Sequence, residues 1–104
     1  MDIQLKKGIL DVCVLHAIES GESYGYKIIS DLEGIIEISE STLYPILKRL
    51  ESGGYVTTHT VEHSGRLRRY YQITALGRKK LADGQRDLQE INAIYEKIFG
   101  WRNN

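Results

Sequence analysis

The sequence predicts a mainly α-helical chain that carries one small β-hairpin, with a long final helix after it. Three observations predict this class. Apolar residues recur at helical spacing through four stretches; Val, Thr and Tyr crowd the interval from Tyr55 to Ile73; and Gly21, Gly34, Gly53-Gly54 and Gly65 separate the periodic stretches. At 104 residues the chain is expected to fold as one unit, burying roughly 60–70% of its unfolded surface.

The first helix is expected from about Gln4 to Glu19. Its centre is apolar nearly all round, through Ile9, Leu10, Val12, Cys13, Val14, Leu15, Ala17 and Ile18. A helix without a polar face is normally covered on both sides, and in so short a chain part of that cover is expected from a second subunit. Ser20-Gly21-Glu22-Ser23 ends the helix, with Ser23 placed to cap the next one. That second helix, about Tyr24 to Leu32, carries Tyr24, Ile28 and Leu32 at spacings of four and stops at Glu33-Gly34. Ile35-Ile36-Glu37-Ile38 reads as a small strand or an extended link.

The third helix has two unlike faces. Leu43, Ile46, Leu47 and Leu50 gather on one side, while Ser41, Tyr44, Pro45, Lys48 and Ser52 gather on the other. Ser39 and Ser41 both offer N-caps, and Gly53-Gly54 ends the helix. An interior proline costs about 3 kcal/mol; if Ser41 is the cap, Pro45 falls at the end of the first turn, where the loss is smaller.

From Tyr55 to Glu62 and from Arg68 to Ile73 the chain reads as two strands, joined through His63-Ser64-Gly65-Arg66. Arg69, Tyr71 and Ile73 share one strand face, so Arg68 and Arg69 point opposite ways and at most one suits a common ligand. Thr74 caps a last helix reaching about Phe99. Leu81, Leu88 and Tyr95 recur every seven residues, as do Ile91 and Ile98, with Gly84 in the same seam. Such a stripe is made to meet another helix. The expected division is residues 1–74, carrying the hairpin and three helices, and residues 75–104, the helix that pairs subunits.

Composition narrows the function. The formal net charge is zero, yet residues 1–47 hold three basic and eight acidic side chains, net −5, whereas residues 48–80 hold eight basic and two acidic, net +6. Positive charge is concentrated beside the polar face of the third helix, the footprint of a phosphate-binding patch. No apolar run reaches the roughly 18 residues of a membrane span, and no secretion signal opens the sequence, so a cytoplasmic protein is expected. The lone Cys13, inside an apolar run, reads as a small buried hydrophobe.

Enzyme chemistry finds no footing. Glycine-rich phosphate loops, a nucleophile elbow and paired catalytic carboxylates are all missing from the sequence. His16 reads as a core or interface residue. His59 and His63, four apart in a strand and turn, do not share a face, so neither a metal nor a cofactor is expected. Tyr24-Gly25-Tyr26 reads as core packing with a close helix contact at Gly25.

Three helices, a hairpin and a final helix, with basic residues on the third helix and hairpin, describe a winged helix-turn-helix whose third helix enters the major groove of DNA. Lys48, Arg66, Arg68 and Arg69 suit phosphates, which position a protein without reading sequence; Ser41, Thr42 and Tyr44 near the helix start suit base edges. For Tyr44 the alternative is packing against the wing. For Arg68 and Arg69 it is a solvated strand.

These residues resemble the PadR family of bacterial transcriptional regulators. The resemblance rests on Ser23-Tyr24-Gly25-Tyr26-Lys27-Ile28, on Ser41-Thr42-Leu43-Tyr44-Pro45-Ile46-Leu47-Lys48-Arg49-Leu50-Glu51, and on Gly53-Gly54-Tyr55-Val56 entering the wing. It continues through Gly65-Arg66-Leu67-Arg68-Arg69-Tyr70-Tyr71-Gln72-Ile73-Thr74 and Ala75-Leu76-Gly77, so it spans nearly the whole chain. It implies a homodimeric DNA-binding regulator, usually a repressor on a palindromic operator, of the short branch with one helix after the wing. The DNA-binding set is then Ser41, Thr42, Tyr44, Pro45, Lys48, Arg66, Arg68 and Arg69. In the family the first and last helices of two subunits pack together, giving an expected interface of Leu10, Val14, Leu81, Leu88, Ile91, Tyr95 and Ile98. Some short members take a flat aromatic or phenolic effector between the subunits; Trp101, beyond the seam, is expected to pack at the terminus. The other reading from the sequence is a winged-helix interaction module, an antirepressor or adaptor that does not bind DNA, which the acidic first part favours.

Overall fold

Local capping and turn chemistry set the element boundaries. A computed structural model describes residues 1–103, in the order α1 (Ile3–Ile18), α2 (Gly25–Leu32), α3 (Glu40–Ser52), β1 (Val56–His63), β2 (Arg66–Ile73) and α4 (Ala75–Phe99), closed by a short 3-10 turn at Gly100–Asn103. The Asp2 carboxylate accepts from the Gln4 and Leu5 amides and starts α1. Thr74 accepts from the Gly77 amide at 3.0 Å and starts α4, as its sequence position predicts.

One open choice of cap is settled and one expected cap is corrected. Ser39, not Ser41, caps α3, accepting from the Thr42 amide at 3.3 Å. Pro45 therefore sits in the second turn, where its missing amide leaves the Ser41 carbonyl without a helical donor. Both residues lie on the exposed face, within reach of water, while Leu43, Ile46, Leu47 and Leu50 are buried on the other. Ser23 does not cap α2: Tyr24 is the N-cap residue and makes no side-chain cap bond. The Ser23 hydroxyl is instead buried and has no hydrogen-bond partner among the described residues. An unpaired buried hydroxyl destabilises, so Ser23→Ala is expected to keep or raise the melting temperature, whereas loss of a working cap would cost about 1 kcal/mol. A thermal melt of the variant checks this, and a clear fall in Tm would restore the capping role.

The core forms where α1, α2, α3 and the base of the hairpin meet. Val14, Leu15, Ile18, Ile28, Leu32, Leu43, Leu47 and Leu50 are all at most 1% exposed. Cys13 packs at its edge, and burial raises its thiol pKa above the ordinary value, in keeping with an unreactive filler. Leu10 and Val14, expected between subunits, are 4% and 0% exposed in the single chain. Their surface is already spent on their own core, which leaves none for a partner. The large apolar α1 residues still exposed are Ile3 and Leu5, near its start.

Ile35–Ile38 is an extended link and not a strand. Among the described residues no strand pairs with it, and Ile38 alone of the run is buried. The strands pair antiparallel from Val56 opposite Ile73 to His63 opposite Arg66. Ser64 (φ +52°) and Gly65 (φ +80°) close them in a two-residue turn, tighter than the four residues expected. Two consecutive left-handed residues match the right-handed twist of the strands. Residues directly opposite share a face: Thr58 and Thr60 with Tyr71 and Arg69, and His59 and Val61 with Tyr70 and Arg68. Ser23 joins the free edge of β2, exchanging both backbone hydrogen bonds with Tyr71 at 3.0 and 2.7 Å.

Helix α4 is seated by two glycines. A Cβ on Gly77 would overlap the Tyr55 carbonyl oxygen and lie 2.8 Å from Ile73 Cγ1; a Cβ on Gly84 would overlap the Val12 side chain. Beyond Leu88 the helix leaves the domain, and every residue from Gln89 to Phe99 is exposed. Ile91, Ile94, Tyr95 and Ile98 are 47–56% exposed there. Trp101 is also largely exposed, its indole N–H donating to the Ile98 carbonyl at 2.8 Å, so it does not pack into a core.

Candidate nucleic-acid interface

The polar face of α3 is solvent-exposed along its length. Ser41, Thr42, Tyr44, Pro45 and Lys48 all stand out from the domain, because burial of the opposite face fixes the helix's rotation. The Thr42 hydroxyl accepts from Ser39 Oγ at 3.1 Å, which ties it to the cap. Tyr44 is 47% exposed and its phenol end lies against α2: a Cβ on Gly25 would stand 2.9 Å from Tyr44 Cζ. The absence of a side chain at Gly25 therefore lets the phenol lie over the start of α2. The close contact expected at Gly25 is present, and its partner is Tyr44.

Tyr44, Arg66, Arg68 and Arg69 line one cleft of about 640 Å³ between α3, the wing and the start of α2. Tyr24, Gly25 and Tyr26 complete its α2 wall. Tyr26, expected in the core, is 73% exposed. Two residues from Ile28, Tyr26 lies about 200° round the helix from the buried Ile28–Leu32 stripe, on the outward side. Tyr71 forms the floor, and its phenol pKa is raised by burial chiefly, with Arg69 lowering it and Tyr44 and Glu51 raising it.

The four predicted phosphate residues differ in their partners. Lys48 and Arg66 are exposed and have none among the described residues. The Arg68 guanidinium stacks 4.1 Å above the Tyr24 ring, which meets Tyr70 edge-on with centroids 5.6 Å apart. Tyr70 in turn stacks on His59, whose Nε2 lies 3.2 Å from Glu22 Oε2. Arg69, on the other strand face, lies 3.3 Å from Glu51 Oε2. The sequence's parity argument is right about the faces, and both arginines have protein neighbours.

His16 is exposed and pairs with Glu19 on the next turn at 2.8 Å, outside the core. Among the described residues no group of three or more His, Cys, Asp or Glu is placed to hold a metal ion. No helix there is long and apolar enough to cross a membrane.

The chain is similar to known regulators along most of its length. The family model described as Transcriptional regulator PadR-like family matches residues 14–83. A transcriptional regulator of Mycobacterium tuberculosis is 30% identical over 89 residues, covering 85% of this chain and 83% of that protein. The structure of a transcriptional regulator from Clostridium thermocellum superposes with a TM-score of 0.82 at 28% identity, covering 93% of this chain and 96% of the other. Bacillus subtilis PadR, solved in complex with operator DNA, superposes with a TM-score of 0.68 at 28% identity, over 72% of this chain and 45% of the longer one.

Proposed function

The chain belongs to the PadR-like family of transcriptional regulators, and on that premise we propose that it is a homodimeric repressor of a palindromic operator. The observation that carries this reading is the cleft, where the exposed face of α3, the aromatic start of α2 and the basic wing turn toward the same space. Residues 1–74 hold the DNA and residues 75–104 pair the subunits, in the cytoplasm where the operator is. Two copies of α3 enter successive major grooves about 34 Å apart. Ser41 and Tyr44 face base edges, while Lys48, Arg66 and Arg68 meet phosphates; that a B. subtilis relative was solved in complex with operator DNA supports a DNA-binding role. The exposed apolar stripe Ile91, Ile94, Tyr95 and Ile98 supports subunit pairing through α4.

A flat aromatic effector would enter between α1 and α4. Leu5, Ile9, Val12, Leu88 and Ile91 line a groove of about 180 Å³ there, and a second subunit would roof it. Binding at that place would shift the two reading heads relative to each other and release the DNA.

Titration of the DNA upstream of the protein's own gene, against a scrambled duplex at several salt concentrations, tests the reading. Preference for the upstream duplex is expected. Failure to shift either duplex at low salt would favour an adaptor that keeps the winged fold without binding DNA. Lys48→Ala and Arg66→Ala are each expected to weaken binding to both duplexes and to lower the salt slope by about one charge. Unchanged slopes would remove those two cations from the phosphate contacts.

A further inference from the structure

Arg69 belongs by sequence to the basic run, yet in the fold it is engaged by an acid from another element. Glu51, in the last turn of α3 and half-buried, accepts from Thr58 Oγ1 of β1 at 2.9 Å. Arg69 Nη2 of β2 lies 3.4 and 3.3 Å from the two Glu51 oxygens and donates to Thr58 Oγ1 at 3.2 Å. One carboxylate thus joins three elements. Below this level the hairpin is anchored by Val56, Tyr71 and Ile73, all buried; above it, every residue of the same face, Thr60, Glu62 and Leu67, is exposed. Glu51, Thr58 and Arg69 form the last attachment of the wing to α3 before the free tip.

Charge sharpens the point. Residues 48–80 contain only two acidic side chains, Glu51 and Glu62. An acid at the base of a DNA-facing wing repels phosphates unless its charge is matched, and here Arg69 matches it. The pair then presents little net charge to DNA, so Arg69 adds little to counterion release.

We propose that Glu51, Thr58 and Arg69 are a clamp that sets the angle of the wing against α3, making Arg69 a positioning residue and not a phosphate contact. The DNA-binding consequence rests on the function proposed above; the mechanical one does not. With the clamp closed, Arg66 and Arg68 meet the DNA at a fixed distance from the α3 residues that face the bases. With it open, the wing swings on its buried base, and specific binding suffers more than non-specific binding.

Glu51→Gln keeps the side chain's shape and removes its charge, and two readouts separate the claims. In the titration with upstream and scrambled duplexes, Glu51→Gln and Arg69→Gln are each expected to weaken upstream binding roughly three- to tenfold, as befits a half-exposed pair. The salt slope stays at its original value, and the double variant is no weaker than either single one. Tighter binding or a steeper slope in Glu51→Gln would overturn the proposal, because it would mean that a freed Arg69 reaches phosphate. Unchanged affinity would overturn it too. Amide hydrogen exchange without DNA is expected to quicken across both strands of the wing in Glu51→Gln, with the exchange of α1 unchanged. If the unaltered protein binds neither duplex, the function proposed above fails, and exchange alone decides: unchanged wing protection in the variant overturns the clamp.

Discussion

Ile91→Asp combined with Ile98→Asp is expected to leave a folded monomer. The two residues stand seven apart on the exposed half of α4 and contribute nothing to the chain's own core. Charges placed in the centre of an apolar helix pair lose their water without gaining a partner, which disfavours association by several kcal/mol. Light scattering should report the mass of one chain, and the thermal melt should show the same cooperative unfolding of the winged domain. Binding to a palindromic duplex should fall about 100-fold or more, because two linked heads gain roughly 10²–10⁴ over one. A double variant that still scatters as a dimer would show that α4 does not pair the subunits. Leu10 and Val14 are unsuitable for this test, since altering either would damage the core before it touched an interface.

The second large effect is on stability. Gly77→Ala gains helix propensity of about 1 kcal/mol, but its methyl group meets the Tyr55 carbonyl and the Ile73 side chain. Backbone cannot give way as a flexible side chain can, so the start of α4 must lift from the hairpin base. Overpacking of this kind costs about 1–3 kcal/mol or more, which outweighs the propensity gain. A fall in Tm of roughly 4–8 °C for each net kcal/mol is expected. A variant as stable as the original would mean that α4 is not seated on Tyr55. Because Thr74 also donates to the Gly54 and Tyr55 carbonyls at 2.7 and 3.1 Å, the hairpin and α4 share one junction.

Much of the fold was legible because the chain's periodicities are pure. The four-residue spacing of Tyr24, Ile28 and Leu32, and the clean division of α3, depend only on which side chains leave water. Choices between chemically equivalent residues were not legible. Ser39 and Ser41 are both good caps, and the decision falls to the extended link that delivers Ser39 first. Ser23 has a capping residue's identity and a strand residue's surroundings, since Tyr71, far along the chain, captures its backbone. The interface set failed at Leu10 and Val14 for a related reason: an all-round apolar helix says that it is covered, not by which molecule.

At the site, residue types were easier to find than their neighbours. Lys48 and Arg66 stand free as their charges suggest. Alternation along β2 correctly separates Arg68 from Arg69, but sequence offers no sign that Glu51 waits on one face and Tyr24 on the other. Tyr26 reads as core only when grouped with Tyr24 and Gly25; its spacing from Ile28 and Leu32 already puts it on the opposite, outward side.

The two-residue turn at Ser64-Gly65 gives the wing an arithmetic of its own. No slack at the tip can absorb a change of length, and side chains alternate faces strictly along both strands. One residue inserted between Arg69 and Tyr71 would rotate Arg69 away from Glu51 and bring its neighbour's side chain in its place. Two residues would return Arg69 to the same face but about 7 Å farther toward the tip, out of reach of Glu51. The clamp therefore fixes the arginine two places before Tyr71, and a relative of different length in this segment should carry its arginine at that same distance from the matching tyrosine.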